Sequence, residues 1–306
     1  MNIYRSFEEA RGITNPVVTT GSFDGVHIGH KTILRRLKKL AEDNKGESVL
    51  ITFDPHPRKV LYPDTAGKDL KLINSQQEKL ELLAKAGLDN VIIIEFTLEF
   101  SKVTSEQFVR DYLYGILNAK VIVVGFNHHF GFNKEGDYRQ LWAWQDKYSF
   151  SAEEIPEQEV QNETVSSTKI RKAISEGYIQ RANAYLDHYF IVMGIPEQKI
   201  IFNDTELPVF YSVPVTDECK LLPSPGIYAV SAEMGEFKSK AMAVIHMNPN
   251  NIQELKVDFF NDITLPCDFP LILYFHKRIH GAVDFFEKRF IPRILMAKEE
   301  INELIF

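Results

Sequence analysis

The first half of the chain alternates between two hydrophobic patterns. Short β-branched runs occur at Val17–Thr20, Val49–Phe53, Val91–Phe96 and Val121–Gly125. Between them lie segments whose apolar residues recur every three or four positions, as at Ile33, Leu34, Leu37, Leu40 and Ala41. The runs predict buried strands and the segments predict helices with one buried face. Two helix starts carry capping boxes. Ser75-Gln76-Gln77-Glu78 opens a helix that Gly87 closes, and Thr104-Ser105-Glu106-Gln107 precedes Phe108, Tyr112 and Leu113 on one face. Strand–helix alternation implies a parallel sheet covered on both sides, and such sheets bind ligands beyond the carboxyl ends of their strands.

The pattern changes close to His188. Short β runs now follow one another, separated by Pro, Asn, Asp and Gly: Tyr189–Ile195, Val209–Val215, Gly226–Ala232, Ala241–Met247, Leu255–Phe260 and Leu271–His276. A helical ending spans roughly Val283 to Leu304. The expected architecture is α/β: a Rossmann-like parallel-sheet domain over 1–186, then a small antiparallel β-barrel over 187–306 that ends in a helix.

Composition narrows the function classes. At 306 residues, 44% hydrophobic and 25% charged, the chain has material for two globular domains. Its net charge of -7 and lack of a basic block make nucleic acid an unexpected partner. Cys219 and Cys267 are the only cysteines, which gives neither a disulfide framework nor zinc spacing. The opening Met1-Asn2-Ile3-Tyr4-Arg5 lacks the apolar core of a signal peptide, and no apolar run approaches bilayer length. A cytoplasmic protein without membrane or obligate protein partners is expected.

Chemistry concentrates at the turn after the first strand, Gly21-Ser22-Phe23-Asp24-Gly25-Val26-His27-Ile28-Gly29-His30. His27 and His30 are three residues apart where a helix begins, so both can face one way. Unpaired amides and the positive end of the dipole lie there, and glycines at 21, 25 and 29 permit close approach of backbone and ligand. That combination suits a polyphosphate. Transfer to a phosphate acceptor needs no protein nucleophile, only alignment and charge stabilisation, which imidazoles can supply. A second candidate anion site is Ser166-Ser167-Thr168-Lys169-Ile170-Arg171, where one hydroxyl suffices to cap the helix and the others, with two cations, are left for phosphate.

With these motifs the chain resembles the prokaryotic bifunctional riboflavin kinase/FMN adenylyltransferases, also called FAD synthetases. Its first half resembles the His-x-Gly-His nucleotidyltransferases. The resemblance implies that His27 and His30 are catalytic and that Gly21, Ser22, Phe23 and Gly25 bind ATP. It implies phosphate contacts from Ser166, Ser167, Thr168 and Arg171, and Mg²⁺ as the accompanying ion. Phe53, Pro55, His56 and Pro57 are similar to the segment flanking the flavin. Gly125-Phe126-Asn127-His128-His129-Phe130-Gly131 resembles a further family motif, in which Asn127 holds substrate and Phe130 packs near a ring. Read as residues alone, Phe53 and Phe130 serve equally as core. FMN is the implied substrate and FAD the product.

The chain departs from the pattern in places. Lys134 stands where many relatives carry Arg, and His128 and His129 stand where Phe and Arg are frequent. A lysine keeps the charge and loses the bidentate fork. In the second half, Gly226-Ile227-Tyr228 and Glu254-Leu255-Lys256 are similar to riboflavin-kinase strands, with Glu254 as candidate base. The kinase Thr and Asn are replaced by apolar and aromatic residues in Glu206-Leu207-Pro208-Val209-Phe210-Tyr211-Ser212, so phosphate transfer by the barrel is expected to be lost. Three alternatives stay open: a fully bifunctional enzyme, a nucleotidyltransferase for another phosphorylated acceptor, and a non-catalytic flavin-binding or regulatory protein.

Overall fold

The central strands of the first half are buried nearly throughout because both of their faces are covered. The computed structural model, which describes residues 1–157, 159–160, 163–200, 208–261, 270–282 and 290–304, contains six parallel strands there. They are β1 (Asn2–Tyr4), β2 (Val17–Thr20), β3 (Ser48–Asp54), β4 (Asn90–Glu95), β5 (Val121–Gly125) and β6 (Ser151–Ile155). Successive residues feed opposite cores. Val18, Val49, Ile51, Ile92, Ile122 and Val124 join Phe7, Phe108, Leu113 and Leu141 on one face. Val17, Leu50, Val91, Ile93, Val121 and Val123 join Leu34, Leu37 and Leu83 on the other.

The strand order β1-β4-β3-β2-β5-β6 fixes where a ligand can enter. From β2 the chain winds to one side through β3 and β4, then crosses back to β5 on the other side. The switch point lies between β2 and β5. These two strands pair only at Val17–Val121 and Val18–Ile122, whereas β2 pairs with β3 along its whole length. Beyond Val18 they separate, and the gap between them is the mouth of a crevice.

Both predicted capping boxes form. Ser75 and Glu78 exchange backbone-to-side-chain bonds of 2.9 and 3.2 Å at the start of the helix Gln76–Lys85, and the Thr104–Gln107 box is likewise reciprocal. One expectation is corrected: the α-helical form ends at Gln107, and Phe108–Tyr114 continues as a π-helix. Its wider turn brings Phe108, Val109 and Leu113 inward together.

A short antiparallel pair, β7 (Glu159–Val160) and β8 (Glu163–Thr164), follows the sheet. The second half then forms a curled antiparallel half-barrel of seven strands. In chain order these are β9 (Phe190–Gly194), β10 (Gln198–Ile200), β11 (Phe210–Ser212), β12 (Gly226–Met234), β13 (Phe237–Met247), β14 (Gln253–Phe259) and β15 (Leu271–His280). The closing helix is described over Phe290–Leu304; of its expected span, 283–289 lies outside the described residues. Phe290, Ile294, Ala297 and Ile301 form its buried stripe and pack with Phe210, Ile227 and Met242.

Backbone proximity divides the chain into two compact units, residues 1–70 with 79–165 and residues 71–78 with 166–306. The second includes a buried ion pair. Lys220 Nζ donates to Glu78 Oε2 at 2.6 Å and to the carbonyls of Ile73 and Ile191 at 2.6 and 2.7 Å.

Candidate active site

The turn after β2 is held in a conformation that side chains ordinarily avoid. Phe23 and Val26 have φ of 48° and 40°, and Gly25 has φ of 90°. For a β-branched valine this is a real outlier. Burial compensates: Phe23 and Val26 are 2% and 1% exposed within the core beside Leu34 and Leu37. Backbone strain offset by core packing is common where a loop must hold a ligand-binding shape.

The helix Ile28–Asp43 starts directly after His27, and three rings stack across its first turn. Phe23 lies 4.4 Å from His30, and His30 lies 3.7 Å from His27, with interplanar angles of 21° and 18°. A Cβ on Gly29 would sit 3.2 Å from His27 Cε1, so this glycine makes room for the imidazole rather than for a ligand. Burial, the neighbouring His27 and the charge of Lys79 together push the His30 pKa well below its ordinary value. His30 is thus neutral near pH 7, a hydrogen-bond donor rather than a cation. Its Nδ1 is buried and has no hydrogen-bond partner among the described residues.

These rings line a cavity of about 770 Å³ within the first unit. It opens at the switch point, from Thr19, Thr20, Gly21 and Ser22 on one side to Gly125, Phe126 and Asn127 on the other. Of the residues expected from the sequence, Gly21, Ser22, Phe23, His27, His30, Phe53, His56, Pro57, Asn127 and Phe130 all line it. Gly25 and Pro55 shape the turn and the strand end without lining it. Phe53 and Phe130 do both things left open for them: they line the cavity and pack against the core. His56 Nδ1 accepts from Arg58 N at 3.1 Å, which caps the short helix Pro57–Leu61. Asn127 Nδ2 donates to Glu157 at 3.2 Å.

Sequence reasoning missed much of the apolar wall. Leu61, Tyr62, Phe96, Phe100 and Phe132 line the cavity, and Leu61, Tyr62, Phe126 and Phe132 are exposed. Scattered along the chain, they carried no motif. Also missed was Lys79, on the helix Gln76–Lys85, with only 7% of its surface exposed.

Ser166, Ser167, Thr168 and Arg171 belong to the second unit. Ser166 caps the helix Ser167–Ser175 by accepting from Lys169 N, and Arg171 donates to Thr168 Oγ1 at 3.4 Å. Glu254, the candidate kinase base, accepts from Asn248 at 3.0 Å and pairs with Lys256 at 3.0 Å. The Asn248 bond foremost, with the Lys256 contact, holds its pKa below the usual carboxylate value. Phe210 is fully buried in the half-barrel core; Glu206 and Leu207 lie outside the described residues.

Comparison with known proteins decides the family. The family model for FAD synthetase matches residues 10–169. The chain belongs to the FAD synthetase family. A bifunctional riboflavin kinase/FMN adenylyltransferase of Listeria monocytogenes is 31% identical over 270 residues, covering 87% of this chain and 81% of the relative. An FAD synthetase of the same organism is 35% identical over 181 residues, or 59% of this chain and 72% of that one. A solved structure from Streptococcus pneumoniae, described as a macrolide-efflux protein, covers 99% of both chains with a TM-score of 0.85. At 24% identity it supports the fold alone. No helix among the described residues is long and apolar enough to cross a membrane. The FAD synthetase match spans β2–β6, five of the six strands of the parallel sheet, together with the strained turn and the stacked histidines.

Proposed function

We propose that the chain makes FAD from FMN and ATP. The observation that carries this reading is the single cavity in which stacked His27 and His30 meet an aromatic wall of Phe53, Tyr62, Phe126 and Phe130. One end offers hydrogen-bond donors at a helix start, the other a broad apolar surface suited to a flat ring system.

In the proposed reaction a phosphate oxygen of FMN attacks the α-phosphorus of ATP. The bond from that phosphorus to the oxygen bridging the α- and β-phosphates breaks, its electron pair stays on that oxygen, and pyrophosphate leaves. The acceptor is already anionic, so no side chain has to act as a nucleophile. His27 and His30 donate to the oxygens on which charge grows, from positions fixed before substrate arrives. Two rings 3.7 Å apart cannot both be charged at little cost, so the neutral state of His30 is part of the arrangement. Asn127 orients the flavin, and the phosphate contacts that the sequence assigns to Ser166, Ser167, Thr168 and Arg171 remain part of the proposal. Among the described residues no group of three His, Cys, Asp or Glu side chains could hold an ion. Mg²⁺ usually takes only one or two protein carboxylates beside substrate phosphates, so in this reading it would arrive with the triphosphate and supply positive charge for the departing pyrophosphate.

Adenylyl transfer is assigned to 1–186 and a riboflavin-kinase-like role without kinase activity to 187–306. Phe210 is buried in the core within the segment where the kinase Thr and Asn are replaced, and a carboxylate with a lowered pKa like Glu254 is a weak base. The proposed setting is the cytoplasm, where ATP is available, without a nucleic-acid or obligate protein partner.

Incubation with FMN, ATP and Mg²⁺, followed by chromatography, tests the reading. FAD is expected from the wild type, and His27→Ala should lower kcat by about 10²- to 10³-fold while FMN binding changes little. Flavin binding without FAD would favour a regulatory protein. Phosphorylation of riboflavin would refute the loss of kinase activity.

A further inference from the structure

We propose that Lys79 is a positioning residue for the bound triphosphate, holding the Ser22 carbonyl and the Thr52 hydroxyl behind the glycine turn and setting a buried positive charge there. This rests on the cavity being a nucleotide site.

Lys79 Nζ donates to Thr52 Oγ1 at 3.1 Å and to Ser22 O at 3.4 Å, and Thr52 Oγ1 in turn donates to the same carbonyl at 3.3 Å. The three groups tie the helix Gln76–Lys85 and β3 to the turn that carries the histidines. An ammonium has three N–H donors and here uses two, both on neutral oxygens. The titratable groups that face it are Asp24 in the turn, Asp54 at the end of β3 and His30 on the first helix. Both carboxylates oppose the effect of burial on its charge.

A buried lysine compensated only in this way is unfavourable for folding alone. Burial lowers its pKa to about 8, against the opposing pull of Asp24 and Asp54. A triphosphate beside His30 would add strong negative charge to the pull of Asp24 and Asp54. Binding then stabilises the protonated amine, so the site should take up protons as it fills. A lysine that only braces the turn would not respond in this way.

Calorimetric titration with α,β-methylene ATP at pH 8, in two buffers of different ionisation enthalpy, reads the proton count directly. The wild type should take up about half a proton at a group whose pKa is near 8. Lys79→Met should abolish the uptake and weaken binding about tenfold. Equal uptake and affinity in the two proteins would overturn the proposal, as would a wild type that does not bind the analogue.

Should Lys79→Met fail to fold, the wild type alone decides. Its affinity for the analogue should decline between pH 7.5 and 9.5, and a flat profile overturns the inference. FMN is absent from these titrations, so they are separable from the FAD assay. Proton uptake without FAD formation sinks the adenylyl reading and keeps Lys79 at a nucleotide site; FAD formation without uptake does the reverse.

Discussion

Replacing Gly29 by alanine should separate activity from stability, because the contact it creates is with a ring proposed to be catalytic. Gly29 lies in the first turn of the helix Ile28–Asp43 and has no left-handed φ, so alanine is compatible with its backbone. The new methyl would sit 3.2 Å from Cε1 and 3.3 Å from Nδ1 of His27, and the ring must retreat by a few tenths of an ångström. Retreat is opposed by His30, stacked at 3.7 Å, and behind it by Phe23, which is 2% exposed. A misplacement near 1 Å costs about 10²-fold in rate, so a few tenths should lower kcat by roughly three- to tenfold. For stability, glycine to alanine in a helix gains about 0.5–1 kcal/mol, which the overpacked contact largely offsets. The expected result is a slower enzyme with an unchanged or slightly higher Tm. Steady-state FAD formation and thermal unfolding of the same preparations measure both. In a His27→Ala background the added methyl has nothing to push, and the double variant should be no slower than His27→Ala alone. A Gly29→Ala protein with wild-type kcat would refute the claim that the glycine sets the ring's position.

Two further predictions concern stability. Lys220→Met should destabilise the second unit by about 3–5 kcal/mol, because it leaves Glu78 charged and buried with two backbone carbonyls unmatched. Hydrogen exchange in β9 and β12 should report the loss, and adding Glu78→Gln should recover part of it; undiminished protection would contradict the reading. His128, whose Nε2 is buried without a partner among the described residues, has its pKa lowered to about 4 by burial and, less, by His129. The unfolded chain therefore binds a proton first as pH falls below 6.5. Folding should lose about 2 kcal/mol between pH 7 and 5 on its account. Both tryptophans, Trp142 and Trp144, lie in the same unit, so denaturant titrations followed by fluorescence can compare wild type with His128→Phe. An identical acid loss in both proteins would count against the buried imidazole nitrogen.

What could be read from the sequence follows the range of the forces involved. The central strands were legible because burial on both faces leaves an unbroken apolar run, as in Val121–Gly125. The edge strands β1 and β6 were not. Each pairs on one side only, and Ser151-Ala152-Glu153-Glu154-Ile155 has the polar composition an exposed edge tolerates. The Ser75–Glu78 capping box could be recognised because its partners are three residues apart. Its second function could not, since Lys220 reaches the same carboxylate from 142 positions away. Lys79 was hidden for a similar reason: its hydrogen-bond partners lie on β3 and in the turn, and a lysine on an amphipathic helix ordinarily faces water.

The turn itself marks the limit most clearly. Glycines and histidines at these spacings announce close packing around a candidate anion site, but not which atoms are packed. Gly29 accommodates the His27 ring, and the strain at Phe23 and Val26 is supported by the core beneath them. Local sequence therefore points to the candidate site, whereas the alignment of the two imidazoles depends on contacts with Phe23 and the buried helix face. Substitutions that loosen that support, such as Leu37→Ala beneath the helix, belong with the active-site variants when their effects on rate are interpreted.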